Sequence, residues 1–166
     1  MNPSPFPSLP AATPPHCGRV ILITGAARGI GAAVALSVAS PDAALVLHAR
    51  TESPELQAVA QQCRAQGAQC TLALGDLADP HIAAQLRDTA LTHYGRLDAL
   101  VANAGFADRK RIGELADADW SRSLDALLGG FFRLITACRA PLEASGQGRV
   151  VAVSSFVAHV LSLIHI

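Results

Sequence analysis

Aromatic side chains are scarce in this sequence, 4% of 166 residues, with a single tryptophan and a single tyrosine. An interior short of rings has to be filled by Ala, Val, Leu and Ile, which suits helices laid on a sheet better than an aromatic-rich β-sandwich. Charge is sparse as well, 16% of residues, and it balances to a formal net charge of zero with no basic run. Little is available to neutralise a nucleic-acid backbone or an anionic membrane surface, so both kinds of partner are disfavoured. The four cysteines, Cys17, Cys63, Cys70 and Cys138, have neither a CxxC spacing nor the density of a disulfide scaffold. They read as reduced thiols of a cytoplasmic protein. The six histidines show no clustered ligand spacing, so no metal site is expected.

Long apolar runs are also missing. Residues 150–166 come nearest, but Ser154, Ser155, His159, Ser162 and His165 interrupt them and the stretch is short for a membrane span. Residues 1–18 carry six of the ten prolines and lack both a cationic start and a continuous apolar run. They read as a disordered tail and not as a secretory signal.

What is present is a 51% apolar chain long enough for one substantial core. Short apolar runs at 20–23, 45–48, 71–74, 97–102 and 149–153 alternate with helix-like stretches at 29–40, 54–66, 79–94 and 119–143. That alternation predicts an α/β fold with a parallel sheet and crossover helices. Pro54 near a helix start, Gly67 after its end, Asp79 with Pro80 as a cap and first position, and Gly95 as a stop mark the boundaries. In the long helix Leu124, Leu127, Leu128, Phe131, Phe132, Ile135, Cys138 and Leu142 recur at spacings of three and four. Gly129 and Gly130 inside it each cost about 1 kcal/mol relative to Ala, which points to close backbone packing there.

Chemistry enters at Thr24-Gly25-Ala26-Ala27-Arg28-Gly29-Ile30-Gly31, where the first strand hands over to the first helix. Gly25 permits a tight turn, Gly29 lets the backbone approach a pyrophosphate, and Gly31 lets the helix pack against the strand. The helix N-terminus adds free N–H groups and a favourable dipole. This stretch, TGAARGIG with its GxxxGxG spacing, resembles the cofactor turn of the short-chain dehydrogenase/reductase family. The resemblance covers residues 19–160 and implies a Rossmann-type doubly wound parallel sheet, five strands in the order 3-2-1-4-5, with the last strands missing. Thr24, Gly25, Ala27, Arg28, Gly29, Ile30 and Gly31 are then cofactor-binding residues.

An acid about 20 residues past the glycines would mark NAD(H). His48-Ala49-Arg50 stands there instead. Arg50 suits the 2′-phosphate of NADP(H), with Arg28 on its other side, unless Arg50 is simply solvated at a strand end. NADP(H) is therefore expected in preference to NAD(H). Asp76-Leu77 resembles the family's adenine-contacting position, although a turn aspartate before a helix would look the same. Asn103-Ala104-Gly105, following Gly95-Arg96-Leu97-Asp98, resembles the family's NAG motif beside the cofactor.

The family's carbonyl chemistry uses a tyrosine, a lysine four residues later, a serine on the carbonyl oxygen and an asparagine in a proton relay. By offset Ser155 matches the serine and Ser154 its structural neighbour. Leu127 occupies the asparagine position and can neither accept nor pass a proton. Tyr94 is the one tyrosine and Lys110 the one lysine; Asp98, not a lysine, follows Tyr94 by four residues, so Tyr94 is read as structural. The tyrosine and lysine partners are expected in a longer parent, and residues 161–166 can be encoded by a sequencing-library adaptor and are expected to be foreign to it. The parent is expected to be a cytoplasmic homo-oligomer, dimer or tetramer, transferring hydride between NADP(H) and a small carbonyl or alcohol substrate, with this chain alone inactive. A non-catalytic NAD(P)-binding protein and an enoyl-thioester reductase are the alternatives.

Overall fold

Consecutive buried residues from Val20 to Thr24 make the first strand, β1 (Arg19–Thr24), a strand covered on both faces. Such strands read as unbroken apolar runs because helices lie on either side of the sheet. The computed structural model describes residues 18–107 and 110–155; the proline-rich start and residues 161–166 lie outside the described residues. After β1 come α1 (Gly29–Val38), β2 (Ala43–Ala49), α2 (Pro54–Ala65), β3 (Gln69–Leu74), α3 (Ile82–Tyr94) and β4 (Ala99–Ala102). A short 3₁₀ turn then leads to α4 (Asp117–Ser123), a π-helical segment (Leu124–Gly129), α5 (Gly130–Ala144) and β5 (Arg149–Ala152).

All strand pairs are parallel, and the sheet order is β3-β2-β1-β4-β5. Successive β1 residues face opposite sides. Val20 and Leu22, with Ala44 and Val46 of β2, pack under α3 and α5 alongside Leu86, Leu134 and Cys138. Ile21 and Ile23, with Leu45 and Leu47, pack under α1 and α2 alongside Ala35, Leu56 and Ala60. Each fully buried leucine or isoleucine contributes about 2 kcal/mol of transfer free energy, so the central strands anchor the fold. A buried carboxylate pins one end of the sheet. Asp98 accepts from the Val20 N–H at 2.8 Å, pairs with the Arg96 guanidinium at 2.6 Å, and donates its own N–H to the Val20 carbonyl at 2.9 Å.

Two elements differ from the sequence-based expectation. Asp79 does not cap a helix directly: its Oδ1 accepts from the His81 N–H at 2.8 Å, making a turn from which α3 starts at Ile82. The long helix expected over 119–143 is broken by the π segment, where the Gly130 N–H reaches back five residues to the Asp125 carbonyl. Gly95 does end α3 in the left-handed region, φ 72°, as a C-terminal glycine should. β5 is exposed at every residue, and Trp120, Leu128 and Phe132 present a bare apolar face on α4 to α5. Among the described residues no helix is long and apolar enough to cross a membrane, and no group of His, Cys, Asp and Glu could hold a metal ion.

Candidate functional site

A cleft of about 620 Å³ opens where β1, β2, β3 and β4 end. This is the switch point of the sheet, where the connection after β1 runs to β2 on one side and the connection after β3 crosses back to β4 on the other, and open α/β sheets bind ligands there.

The three glycines of the first turn are required for three separate reasons. Gly25 has φ +68°, and a Cβ on it would sit 2.9 Å from the Ala104 Cα. Gly31 is buried, and a Cβ there would meet the Gly25 carbonyl oxygen at 2.3 Å, so α1 can approach β1 only without a side chain. Gly29 has φ +59°, and beyond its chain neighbours and its own helix backbone no atom of the described residues lies within 4 Å of a Cβ position, leaving open space at the helix start. α1 has no side-chain cap, since Arg28 at the N-cap position makes no such bond. Its first-turn N–H groups are thus available beside the cleft, a setting that suits a phosphate anion.

Behind the turn, Thr24 and Asn103 interlock. The Thr24 Oγ1 accepts from the backbone N–H groups of Asn103 and Ala104, both at 3.0 Å, and donates to the Val101 carbonyl at 3.3 Å. The Asn103 amide returns two bonds, to the carbonyls of Thr24 at 3.0 Å and Gly25 at 3.2 Å. Thr24, Gly29 and Gly31 therefore support the cleft, while Gly25, Ala27, Arg28, Ile30, Arg50, Asp76, Leu77, Asn103, Ala104 and Gly105 line it. Asp76 serves two purposes, because its Oδ1 also accepts from the Ala78 N–H at 3.0 Å and shapes the loop.

Several lining residues escaped the sequence reading, among them His48, Ser53, Glu55, Phe106 and Ala126. His48 could have been found by register, since it pairs with Thr24 across β1 and β2. It is buried, and its Nε2 lies 2.9 Å from the Gly75 carbonyl, which can only accept, so the proton is on Nε2. Among the described residues Nδ1 has no hydrogen-bond partner. Burial pushes the His48 pKa below the usual histidine range, outweighing the Gly75 carbonyl and Asp76, which pull it up. Glu55 stands in the first turn of α2, where its own N–H and the Ser53 hydroxyl hold its carboxyl below the usual range, with Arg28 adding to the effect.

The residues of the chemical half are placed differently. Leu127 lies on the cleft wall as an apolar side chain. Ser155 follows the end of β5, exposed, and is not among the residues that line the cleft. Tyr94 is buried under β3 with its hydroxyl 2.8 Å from the Thr71 Oγ1, and burial raises its pKa.

A family model described as short chain dehydrogenase matches residues 19–164. The chain belongs to the short-chain dehydrogenase family. An uncharacterized oxidoreductase of Mycobacterium tuberculosis is 37% identical over 139 residues, 82% of this chain and 52% of its own length. A 3-oxoacyl-[acyl-carrier-protein] reductase of Aggregatibacter actinomycetemcomitans is 33% identical over 136 residues, 81% of this chain and 56% of its own. The crystal structure of NADH-dependent reductase A1-R′ complexed with NAD superposes with a TM-score of 0.76 at 25% identity, covering 85% of this chain and 61% of that one. The chain spans about half the length of the curated relatives it matches.

Proposed function

We propose that this chain is the NADP(H)-binding portion of an oxidoreductase that moves hydride between the nicotinamide and a small carbonyl or alcohol substrate. The observation that carries the reading is the uncapped start of α1 beside Gly29, whose left-handed backbone leaves space where a side chain would otherwise stand. Those N–H groups and the helix dipole would hold a pyrophosphate. Asp76 and Leu77 would flank the adenine, and Asn103 to Gly105 would run beside the rest of the dinucleotide.

The choice of dinucleotide rests on charge. The NADH-dependent relative was crystallised with NAD, whereas here Arg28 and Arg50 both border the cleft and Arg50 stands where an acid would accept from a ribose hydroxyl. Two guanidiniums suit a 2′-phosphate. Bound nicotinamide would supply or accept the hydride, and Ser155 would donate its hydroxyl to the substrate oxygen. Tyr94 is unsuited to deliver the proton, being buried and engaged with Thr71.

Leu127 favours a second reading, a dinucleotide-binding protein without catalysis, because an apolar side chain cannot extend a proton relay. Fluorescence titration of the 166-residue chain with NADPH and NADH tests the binding claim. NADPH is expected to bind about tenfold tighter, a difference of about 1.4 kcal/mol. Equal affinities would remove the phosphate preference, and no binding of either would remove the cleft assignment. Consumption of NADPH with a panel of aldehydes and ketones, by the chain joined to the remainder of its reading frame, separates the enzyme from the silent binder.

A further inference from the structure

Arg133, in the first turn of α5, is a half-buried guanidinium that no carboxylate pairs with among the described residues. Its Nη2 instead donates to three backbone carbonyls, those of Asp125 at 2.7 Å, Leu77 at 2.9 Å and Ala78 at 3.3 Å. Two hydrogens are shared among three acceptors, and Nε is buried with no partner among the described residues. The carbonyls belong to different walls of the cleft. Leu77 lies in the loop between β3 and α3, and Asp125 is the second residue of the π segment that carries Ala126 and Leu127.

The surrounding backbone is cut to fit this side chain. A Cβ on Gly129 would lie 3.0 Å from the Arg133 Nη1, and a Cβ on Gly130 would lie 3.0 Å from the Leu77 Cβ and 3.1 Å from its carbonyl oxygen. Two successive glycines in a helix are thus explained by one joint, the first admitting the guanidinium and the second admitting the loop. The same joint accounts for the π segment. The Asp125 carbonyl accepts both the wide bond from the Gly130 N–H and the bond from Arg133. Without the second bond the turn can tighten to ordinary α-helix, and one residue of helical phase is worth about 100° of rotation about the axis.

We infer that Arg133 is a positioning residue for the dinucleotide: it clamps the π segment to the loop between β3 and α3 and so fixes the separation of the walls bearing Leu77 and Leu127. It does not itself line the cleft. The inference rests on the dinucleotide reading given above.

The test titrates NADPH into the 166-residue chain and its Arg133→Met, Arg133→Lys and Gly130→Ala variants, with circular dichroism to establish that each is folded. Arg133→Met is expected to weaken binding about tenfold or more with the secondary structure retained. Arg133→Lys, which keeps a donor and the charge, should recover part of that loss, and Gly130→Ala, which keeps every charge, should also weaken binding. If Arg133→Met does not fold, the lysine and alanine variants carry the test. Folded Arg133 variants that bind as wild type does would overturn the clamp. So would Gly130→Ala binding normally while Arg133→Met weakens in a salt-dependent way, which is the signature of charge alone. If wild type binds no dinucleotide, the cofactor reading fails and the clamp falls with it; wild-type binding matched by every variant sinks the clamp alone.

Discussion

The Asn103 side-chain amide donates to the main-chain oxygens of Thr24 and Gly25 at 3.0 and 3.2 Å, while the Thr24 hydroxyl accepts the Asn103 N–H in return. The pair joins the ends of β1 and β4 and holds the glycine turn from below. Replacing Thr24 by Val keeps the shape but leaves two backbone N–H groups without an acceptor, and each such loss costs about 1–3 kcal/mol. Thr24→Val is expected to lower the urea midpoint clearly while Thr24→Ser stays near wild type. Equal midpoints for the two would show that the hydroxyl contributes nothing.

Gly29 and Gly31 should separate stability from binding. Gly31→Ala drives a methyl against the Gly25 carbonyl oxygen, and overpacking of this kind costs about 1–3 kcal/mol. Gly29→Ala meets no atom and bears only the left-handed backbone penalty, about 1–2 kcal/mol, yet its methyl enters the space beside the α1 N-terminus. For Gly29→Ala we expect a larger loss in dinucleotide affinity than its modest change in unfolding free energy accounts for. An unaltered titration curve for that variant would count against phosphate binding at the turn.

His48 makes stability depend on pH. Its folded pKa lies below the 6.5 of a free histidine, because burial disfavours the charged ring. Well above pH 6.5 both folded and unfolded states are neutral, and the contribution is fully present. As pH falls through that value the unfolded chain gains a proton that the folded chain refuses, so stability declines until the folded pKa is reached, by at most about 1.4 kcal/mol per pH unit. Unfolding free energies of wild type and His48→Asn, measured from pH 7.5 to 5, should show the steeper fall in wild type. Parallel curves would mean that His48 is not held neutral.

Glu55 shares the cleft with Arg28 and Arg50. Its negative charge opposes a 2′-phosphate there, so Glu55→Gln is expected to tighten NADPH severalfold and to leave NADH nearly unchanged, most visibly at low salt. Equal gains for both dinucleotides would place the carboxylate away from the phosphate.

The parts of the fold written in local sequence were readable. Apolar runs such as Leu45–Leu47 and stops such as Gly95 depend on nearest neighbours, and the glycine spacing carries its own geometry. What escaped depends on partners distant in the chain. Leucines at spacings of three and four mark a helix but do not disclose its π segment, where the Asp125 carbonyl accepts from Gly130 and from an Arg133 that also reaches Leu77, 56 residues away. His48 looked like ordinary strand filling because its bond to Gly75 arises from β2 pairing with β3. In sequence Leu127 stands as a departure from the asparagine that the resemblance implies; its place on the cleft wall emerges only from the structure.

The lock between Thr24 and Asn103 joins residues 79 positions apart. Pairs so distant close large loops, and in chains of this topology such contacts form late on the folding route. The glycine turn should therefore still be loose at the folding barrier, when the strands on the β2 side have already paired. A ligand that grips the turn will slow unfolding and leave the folding rate nearly untouched, so bound dinucleotide would protect this chain by lengthening its lifetime and not by hastening its birth.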